Sequence, residues 1–547
     1  MIHLSKRVSL MNQALTARSE ALHVPLLLMI FFFVVTEVSG RDLTRDPSQF
    51  YVKEKVQTFL DNVMIHSFRN VTRRWYRPEY RSDTPVIQKD RPWEHITYFT
   101  YSNYCVLRDP KDGLFKCWYE DLHVLPEEQA KGSSTPQTSR QLYAESDDGI
   151  HWRKPEFDFV RENGRRTNIV LGAGAGGGHN VHSMTIAIDP HPPSPDQRFR
   201  ALFTHRTPEL PGHSKTVACA HSPDGIHWKI YDEAPDIGLS GPRLDDVSVL
   251  LYDHDSREFV QNTRHFLKGP GGGGAPLGGL HSFASDSRRR IWQSRSHDFL
   301  HWSEPILVVA VDEQDGLDEQ FYGMSQYKLG TVHLATAGVF RQVDNELNVQ
   351  LLVSRDGLRW KRTAKRRPFV SPRGEGHPDA YMAALVSPPI EVNDELWFYS
   401  GWAACHHDWW LWGPRDGLDH PEAKDLSLAK FSLGLMTMRK DGYAGLYANK
   451  YRGGRITTQS MMSKGTKLAI NARCGEGGSI RVAVTDEYGE IIEGRSQNDC
   501  DPFRADSVSH TVTWKGDPSI PLKKWRRLRF YLSEAELFSF HFSDSSD

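Results

Sequence analysis

A seven-residue turn motif returns four times along this chain, and its spacing constrains the fold more than any single residue does. Ser146-Asp147-Asp148-Gly149-Ile150-His151-Trp152 recurs as Ser222-Pro223-Asp224-Gly225-Ile226-His227-Trp228. It returns as Ser296-His297-Asp298-Phe299-Leu300-His301-Trp302 and as Ser354-Arg355-Asp356-Gly357-Leu358-Arg359-Trp360. The starts lie 76, 74 and 58 residues apart (146 to 222, 222 to 296, 296 to 354). That period is too long for a helical solenoid and fits one four-stranded propeller blade with an enlarged loop. Asp-Gly supplies a tight turn, the glycine takes the positive-φ position, and the Trp pegs the start of the next strand.

Five segments share one grammar of apolar strand, polar turn and aromatic-rich strand: Tyr104–Tyr119, Met184–Thr204, Val247–Arg264, Met324–Val339 and Met382–Trp402. The first four each precede a motif. After the fifth, Arg439-Lys440-Asp441-Gly442-Tyr443 keeps the Asp-Gly and loses the Trp, as expected where a propeller closes. From about residue 448 the period stops and short strands appear at sandwich spacing. The reading is an all-β chain: a five-bladed β-propeller over 91–447 followed by a β-sandwich over 448–547. Residues 41–90 are expected to hold a helix and a linker, because Val52, Val56, Phe59, Leu60 and Val63 fall at helical spacing.

The apolar run Val24–Val35 follows Lys6, Arg7 and Arg18 and precedes the small residues Val38-Ser39-Gly40. Residues 1–40 therefore read as a secretory signal peptide, with Met11 as an alternative start and a signal anchor as the alternative role. The expected location is secreted or periplasmic, with no membrane contact beyond that segment. Lys+Arg 67 against Asp+Glu 69 leaves a formal charge of -2, so no basic field for nucleic acid is present. No oligomeric state follows from the sequence. Six cysteines in an exported chain invite pairing, Cys105 with Cys117 and Cys474 with Cys500, against equally weighted free buried thiols throughout.

Residues just before each blade's first strand project toward one end of a propeller channel. Those positions carry Trp93-Glu94-His95, His179-Asn180-Val181-His182, Asp245-Asp246, Asp318-Glu319-Gln320 and Glu375-Gly376-His377-Pro378-Asp379. Converging carboxylates push their pKa values apart, which lets one act as acid and another as base or nucleophile. On this reading Asp246 is base or nucleophile, Glu319 the proton donor and Asp379 the carboxylate tuning the pair. Glu94, His179, His182, Arg264 and His377 bind substrate hydroxyls, and Trp409 in the Cys405–Trp412 loop gives a stacking wall. A one-residue register slip would turn any of these side chains away from the channel. No cofactor and no metal are assigned, since the adjacent His406 and His407 diverge in an extended chain; the Asp-rich turns would tolerate a structural calcium ion.

The layout resembles glycoside hydrolase family 32, and the propeller alone is similar to family 43. The run Ser479-Ile480-Arg481-Val482-Ala483-Val484-Thr485-Asp486 and then Leu537-Phe538-Ser539-Phe540 is similar to the family-32 sandwich strands, and Arg108-Asp109-Pro110 resembles its R-D-P element. Here that element lies in a first hairpin turn, and no W-x-N-D-P-N-G stretch precedes it. The resemblance implies an exported glycoside hydrolase acting on a polysaccharide or oligosaccharide. The alternative is a non-catalytic carbohydrate-binding or extracellular interaction propeller.

Overall fold

The serine and aspartate close all four motif turns alike, and the indole adds its bond in the first three, for the reason their residue types suggest. In the second, the Ser222 hydroxyl accepts the Gly225 amide at 2.9 Å, Asp224 Oδ1 accepts the Ile226 and His227 amides at 2.9 Å, and the Trp228 indole donates to the Gly225 carbonyl at 2.8 Å. The turn is thus closed by its own side chains, an Asx-type solution that asks nothing of the rest of the chain. The glycine position has φ of 75°, 82° and 72° at Gly149, Gly225 and Gly357, and Phe299 holds the same left-handed conformation at 75°. Phe299 is fully buried against Phe259, so packing replaces the missing glycine.

The computed structural model describes residues 50–52, 55–124, 138–176, 180–206, 215–232, 247–265, 288–521 and 525–544. The segment 1–40 read as a signal peptide, and the site candidates Asp246 and His179, lie outside them. The described residues are all-β apart from short helices. Among the described residues no helix is long and apolar enough to cross a membrane.

Antiparallel sheets follow one another along the chain. The first comprises Ile96–Tyr98, Tyr104–Arg108, Phe115–His123, Thr138–Ser146 and Ile169–Leu171. The second runs from Val181–Ile188 to Lys229–Ile230 and the third from Ser248–Asp253 to Ile306–Val309, four strands each. The fourth (Glu319–Leu329 to Lys361–Arg362) joins the fifth (Met382–Ala384, Ile390–Val392, Glu395–Ala403, Phe431–Arg439) through one parallel pairing, Leu347 with Met382. Each motif turn packs on the sheet before it. Trp118 of the first sheet donates to the Gly225 carbonyl at 2.6 Å, Arg200 of the second lies over the Phe299 ring, and Gln293 of the third donates to the Gly357 carbonyl. Tyr399 of the fifth donates to the Gly149 carbonyl of the first at 2.8 Å.

Residues 50–68 contain strands where a helix was expected. Burial is continuous over Gln57–Leu60, whereas an amphipathic helix would show a stripe, and Phe59 packs on Phe540. Gln57–Thr58, Ile65–Arg69 and Thr72–Trp75 join an eight-stranded sheet with the C-terminal strands. Glu79–Tyr80 and Ile87–Gln88 instead pair with Phe431–Arg439, adding outer strands to the fifth sheet. In the C-terminal region the long strands Lys467–Asp486 and Arg526–Ser543 pair along their lengths, with a register shift between Cys474 and Ser479. The sheet encloses one core that includes Phe530, Phe540, Phe542, Trp514 and Ile456.

All six cysteines are free thiols. In the first hairpin Cys105 pairs with Trp118, and Cys117 with Val106. That one-residue offset puts the two thiols on opposite faces, in separate cores, so they cannot meet.

Candidate functional site

The first sheet has an interrupted inner strand. Tyr98 pairs with Glu120 and Tyr104 with Tyr119, so Phe99–Asn103 are looped out opposite a single step of the partner strand. All five residues are buried, and Ser102 holds φ of 63°. The excursion meets the second, third, fourth and fifth sheets. Asn103 donates to Ser183 of the second, Ser102 donates to the Ser248 carbonyl of the third, and Tyr101 packs on Gly323 and Gly338 of the fourth. The Phe99 carbonyl lies on Gly401 of the fifth. The point where the sheets converge is therefore filled by aromatic side chains and backbone.

Around this plug runs a polar rim. Glu120 is fully buried and takes hydrogen bonds from the Ser183 amide at 3.0 Å and from Asn103 and Ser139, with His182 Nδ1 at 2.6 Å. Burial opposes its ionisation, but His182 and these donors prevail and hold the carboxyl below its ordinary value. Next to Tyr101 comes Tyr322, whose hydroxyl is hydrogen-bonded to His407 Nε2 at 2.5 Å while the Arg264 guanidinium lies 4.0 Å over its ring. His407 and its neighbour His406 do diverge: His406 turns away to the Glu422 carboxylate.

A cleft of about 750 Å³ lies between the first sheet, the fifth sheet and the chain around 375–381, lined by residues including Lys89, His95, Glu375, His377, Tyr381 and Lys430. Its wall is aromatic. Tyr381 stacks on His406 at 3.8 Å, and Trp409 stacks on the opposite side at 3.9 Å. The Tyr381 hydroxyl donates to Glu375 at 3.3 Å. One residue before the Leu347 amide that donates to the Tyr381 carbonyl at 3.0 Å stands Glu346, at the start of its strand. Partial burial and the negative charge of Asp344 raise its carboxyl pKa, and Arg341 only partly offsets them.

The sequence-derived candidates divide. His182 and Arg264 stand on the rim, His377 lines the cleft, and Trp409 stacks on His406 behind Tyr381. Glu94 is buried and receives the Tyr119 hydroxyl and Lys154 ammonium at 2.6 Å each, besides the Asp90 and Arg91 amides. Asp379 is fully buried, taking Arg373 at 2.7 Å and the Tyr80 hydroxyl at 2.5 Å. Glu319 accepts the Gly316 amide at 3.0 Å and so closes its own turn. Glu120, Tyr322, His407, Glu346 and Tyr381 were missed. One signal for Glu120 was available: Glu120-Asp121 are consecutive acids inside a strand otherwise rich in apolar residues, and both are buried.

No protein-family model matches the chain, and no curated protein matches it. Among solved structures it is similar to a glycoside hydrolase at 12% identity and a TM-score of 0.45, covering 66% of this chain and 92% of that one. It is similar to a β-1,2-mannobiose phosphorylase from Listeria innocua in complex with β-1,2-mannobiose (11%, TM-score 0.43, 67% and 97%). An N-acetylgalactosamine deacetylase from F. plautii in complex with blood group B trisaccharide is another such structure (15%, TM-score 0.39, 68% and 96%). At these identities and TM-scores none of the likenesses assigns a family or an activity to this chain.

Proposed function

We propose that the chain is an exported carbohydrate-active protein, a five-bladed β-propeller whose fifth blade includes the strands at 79–88, with a C-terminal β-domain completed by the strands at 57–75, that hydrolyses a glycosidic bond at the cleft between the first and fifth sheets. The motif contacts link the first sheet to the second, second to third, third to fourth and fifth to first, the Leu347–Met382 pairing joins fourth to fifth, and this cyclic order supports the propeller. So do the N-terminal strands Glu79–Tyr80 and Ile87–Gln88 that complete the fifth sheet. One observation carries the activity: the cleft holds the carboxylate Glu375 against Tyr381, and Glu346, next to the Leu347 amide that bonds the Tyr381 carbonyl, supplies a second carboxyl whose pKa is raised by burial and Asp344. An acid with a raised pKa holds its proton to higher pH than an ordinary glutamic acid and can donate it to a leaving-group oxygen, and a flat Tyr381 face suits a sugar ring. For the donor role this favours Glu346 over Glu319, whose carboxylate is engaged by Gly316. Asp246 keeps the base or nucleophile role assigned from sequence.

The second reading, a carbohydrate-binding propeller without turnover, is favoured by Asp379, which Arg373 pairs and the Tyr80 hydroxyl hydrogen-bonds. The two are separated by incubating the full chain with a panel of oligosaccharides and following both binding and product. Hydrolysis by wild type, lost in Glu346→Gln and in Asp246→Asn while binding persists, supports the enzyme. Binding without product from any variant supports the binding protein, and turnover unchanged in Glu346→Gln removes that residue from its role.

A further inference from the structure

The loop that walls the cleft carries a set of donors that the glycosidase reading does not use. After the strand Glu395–Ala403 the chain leaves the fifth sheet for an excursion over 404–430, built from the helix Trp409–Asp416, the short helix Pro421–Lys424 and a final turn. Gly417, at φ 68°, ends the first helix in the left-handed conformation and reverses the chain. That reversal returns His420 and Glu422 to His406, which lies at the root of the excursion. The three donor atoms all lie within 4.8 Å of one another. His420 Nδ1 is 3.0 Å from Glu422 Oε2, and His406 Nδ1 faces Oε1 of the same carboxylate.

The geometry points to a divalent-cation site of zinc class formed by His406, His420 and Glu422. Two imidazole nitrogens and one carboxylate suit Zn²⁺ better than the all-oxygen shells of Ca²⁺ or Mg²⁺. Tetrahedral ligands with bonds of about 2.0–2.1 Å stand roughly 3.3 Å apart, so side-chain shifts of about an ångström would close the shell. The rings are already oriented for it. His406 is clamped between Tyr381 and Trp409, and Trp409 also packs on His420 at 4.4 Å. Glu422 is held by the His406 amide at 3.1 Å. Such outer contacts fix the direction of metal ligands. His406 and Glu422 are buried while His420 is partly exposed, which gives the ion a way in. Three protein donors leave a fourth position for water or a substrate oxygen. A cation here would tie both ends of the excursion together and hold Tyr381 against the cleft. This inference stands whether or not the cleft hydrolyses sugars.

The test uses the metal-stripped full chain and Zn²⁺ alone. Calorimetric titration is expected to show one equivalent bound, with a rise in thermal midpoint on addition of metal. Co²⁺ is expected to give visible bands without a thiolate charge-transfer band. His420→Ala and Glu422→Gln should each weaken binding by about tenfold or more. His297→Ala, on an exposed motif turn, should leave it unchanged. His420 is partly exposed, so its variant should keep the metal-free thermal midpoint, and weaker binding then reports the ligand alone. Three results would overturn the assignment: no uptake, uptake undiminished in both ligand variants, or a thiolate band that traces the metal to the cysteines. A midpoint lowered in Glu422→Gln with wild type indifferent to Zn²⁺ would also overturn it and leave a hydrogen-bonded clasp.

Discussion

Tyr101 lies on the bare backbone of Gly323: a Cβ built on that glycine would stand 2.5 Å from Tyr101 Cδ1 and 3.1 Å from Val247 Cγ1. The first, third and fourth sheets meet at this point, and the ring fills the space a side chain would take. Gly323→Ala is therefore expected to overpack the centre and cost about 1–3 kcal/mol. Chemical denaturation of the full chain measures it. A variant as stable as wild type would mean that the Phe99–Asn103 excursion does not plug the centre.

The motif carboxylates make stability pH-dependent in a set direction. Burial would raise the Asp298 carboxyl, but the His301 and Leu300 amides and the His301 ring outweigh it and hold it at about 2. Asp148, Asp224 and Asp356 are likewise held below their ordinary value. A carboxylate depressed in the folded state stabilises fully above its unfolded pKa of about 3.9 and loses that contribution as pH falls through the folded value. Unfolding free energy should hold down to about pH 4–5 and then fall toward pH 2. Asp298→Asn should cost about 1 kcal/mol at pH 7, and its curve should meet that of wild type near pH 2. Parallel curves down to pH 2 would refute the account.

The motif turns were legible because their chemistry is local: Ser, Asp and Gly close the turn with bonds two and three residues long. What those turns touch was not legible. Trp118 reaches Gly225 across 107 residues and Tyr399 reaches Gly149 across 250, and no window of sequence links them. The excursion Phe99–Asn103 was hidden for a different reason. Phe99-Thr100-Tyr101-Ser102-Asn103 has the composition of a strand, so only the pairing register reveals that it leaves the sheet. At the site, position before a strand identified His182 and the end of the third segment gave Arg264, whereas the partners that give them meaning, Glu120 and Tyr322, come from elsewhere in the fold. The ligand set at His406 was missed because its other members lie 14 and 16 residues on, brought back by a helix and a turn.

Asp379 is a sharp case, since its place before a strand reads as catalytic while its partners read as structural. Its carboxylate is fully buried and holds both Arg373 and Tyr80, which are 6 and 299 residues away in sequence. Removing the Asp379 charge leaves Arg373 with only the exposed Asp83 carboxylate and takes an acceptor from Tyr80, so Asp379→Asn should destabilise the fold by about 1–3 kcal/mol. Thermal denaturation decides: an unchanged midpoint with lost turnover would return Asp379 to the reaction.

The thiols give a prediction independent of activity. Five of the six cysteines are buried and Cys474 is half-buried, with Cys474 donating to the Phe503 carbonyl and Cys500 close to the Val482 amide. Thiol titration of protein purified without reductant should find little reaction in the native state and six thiols on denaturation. Four or two would mean that a disulfide forms after all.

The pH profile of turnover tests the acid at the cleft. Burial and the charge of Asp344 raise the Glu346 pKa, so its protonated form persists to higher pH than an ordinary glutamic acid allows. A general acid works only while protonated, so kcat/KM should fall as pH rises through that raised value. Asp344→Asn removes the neighbouring charge, lowers the Glu346 pKa and should move that limb to lower pH, with little change at the acidic plateau. Glu346→Gln should abolish the limb along with most of the rate, by about 10²–10⁴-fold, the usual contribution of a positioned acid. A basic limb that ignores Asp344→Asn would assign it to another group, and the donor would then be sought at Glu319 or Glu375.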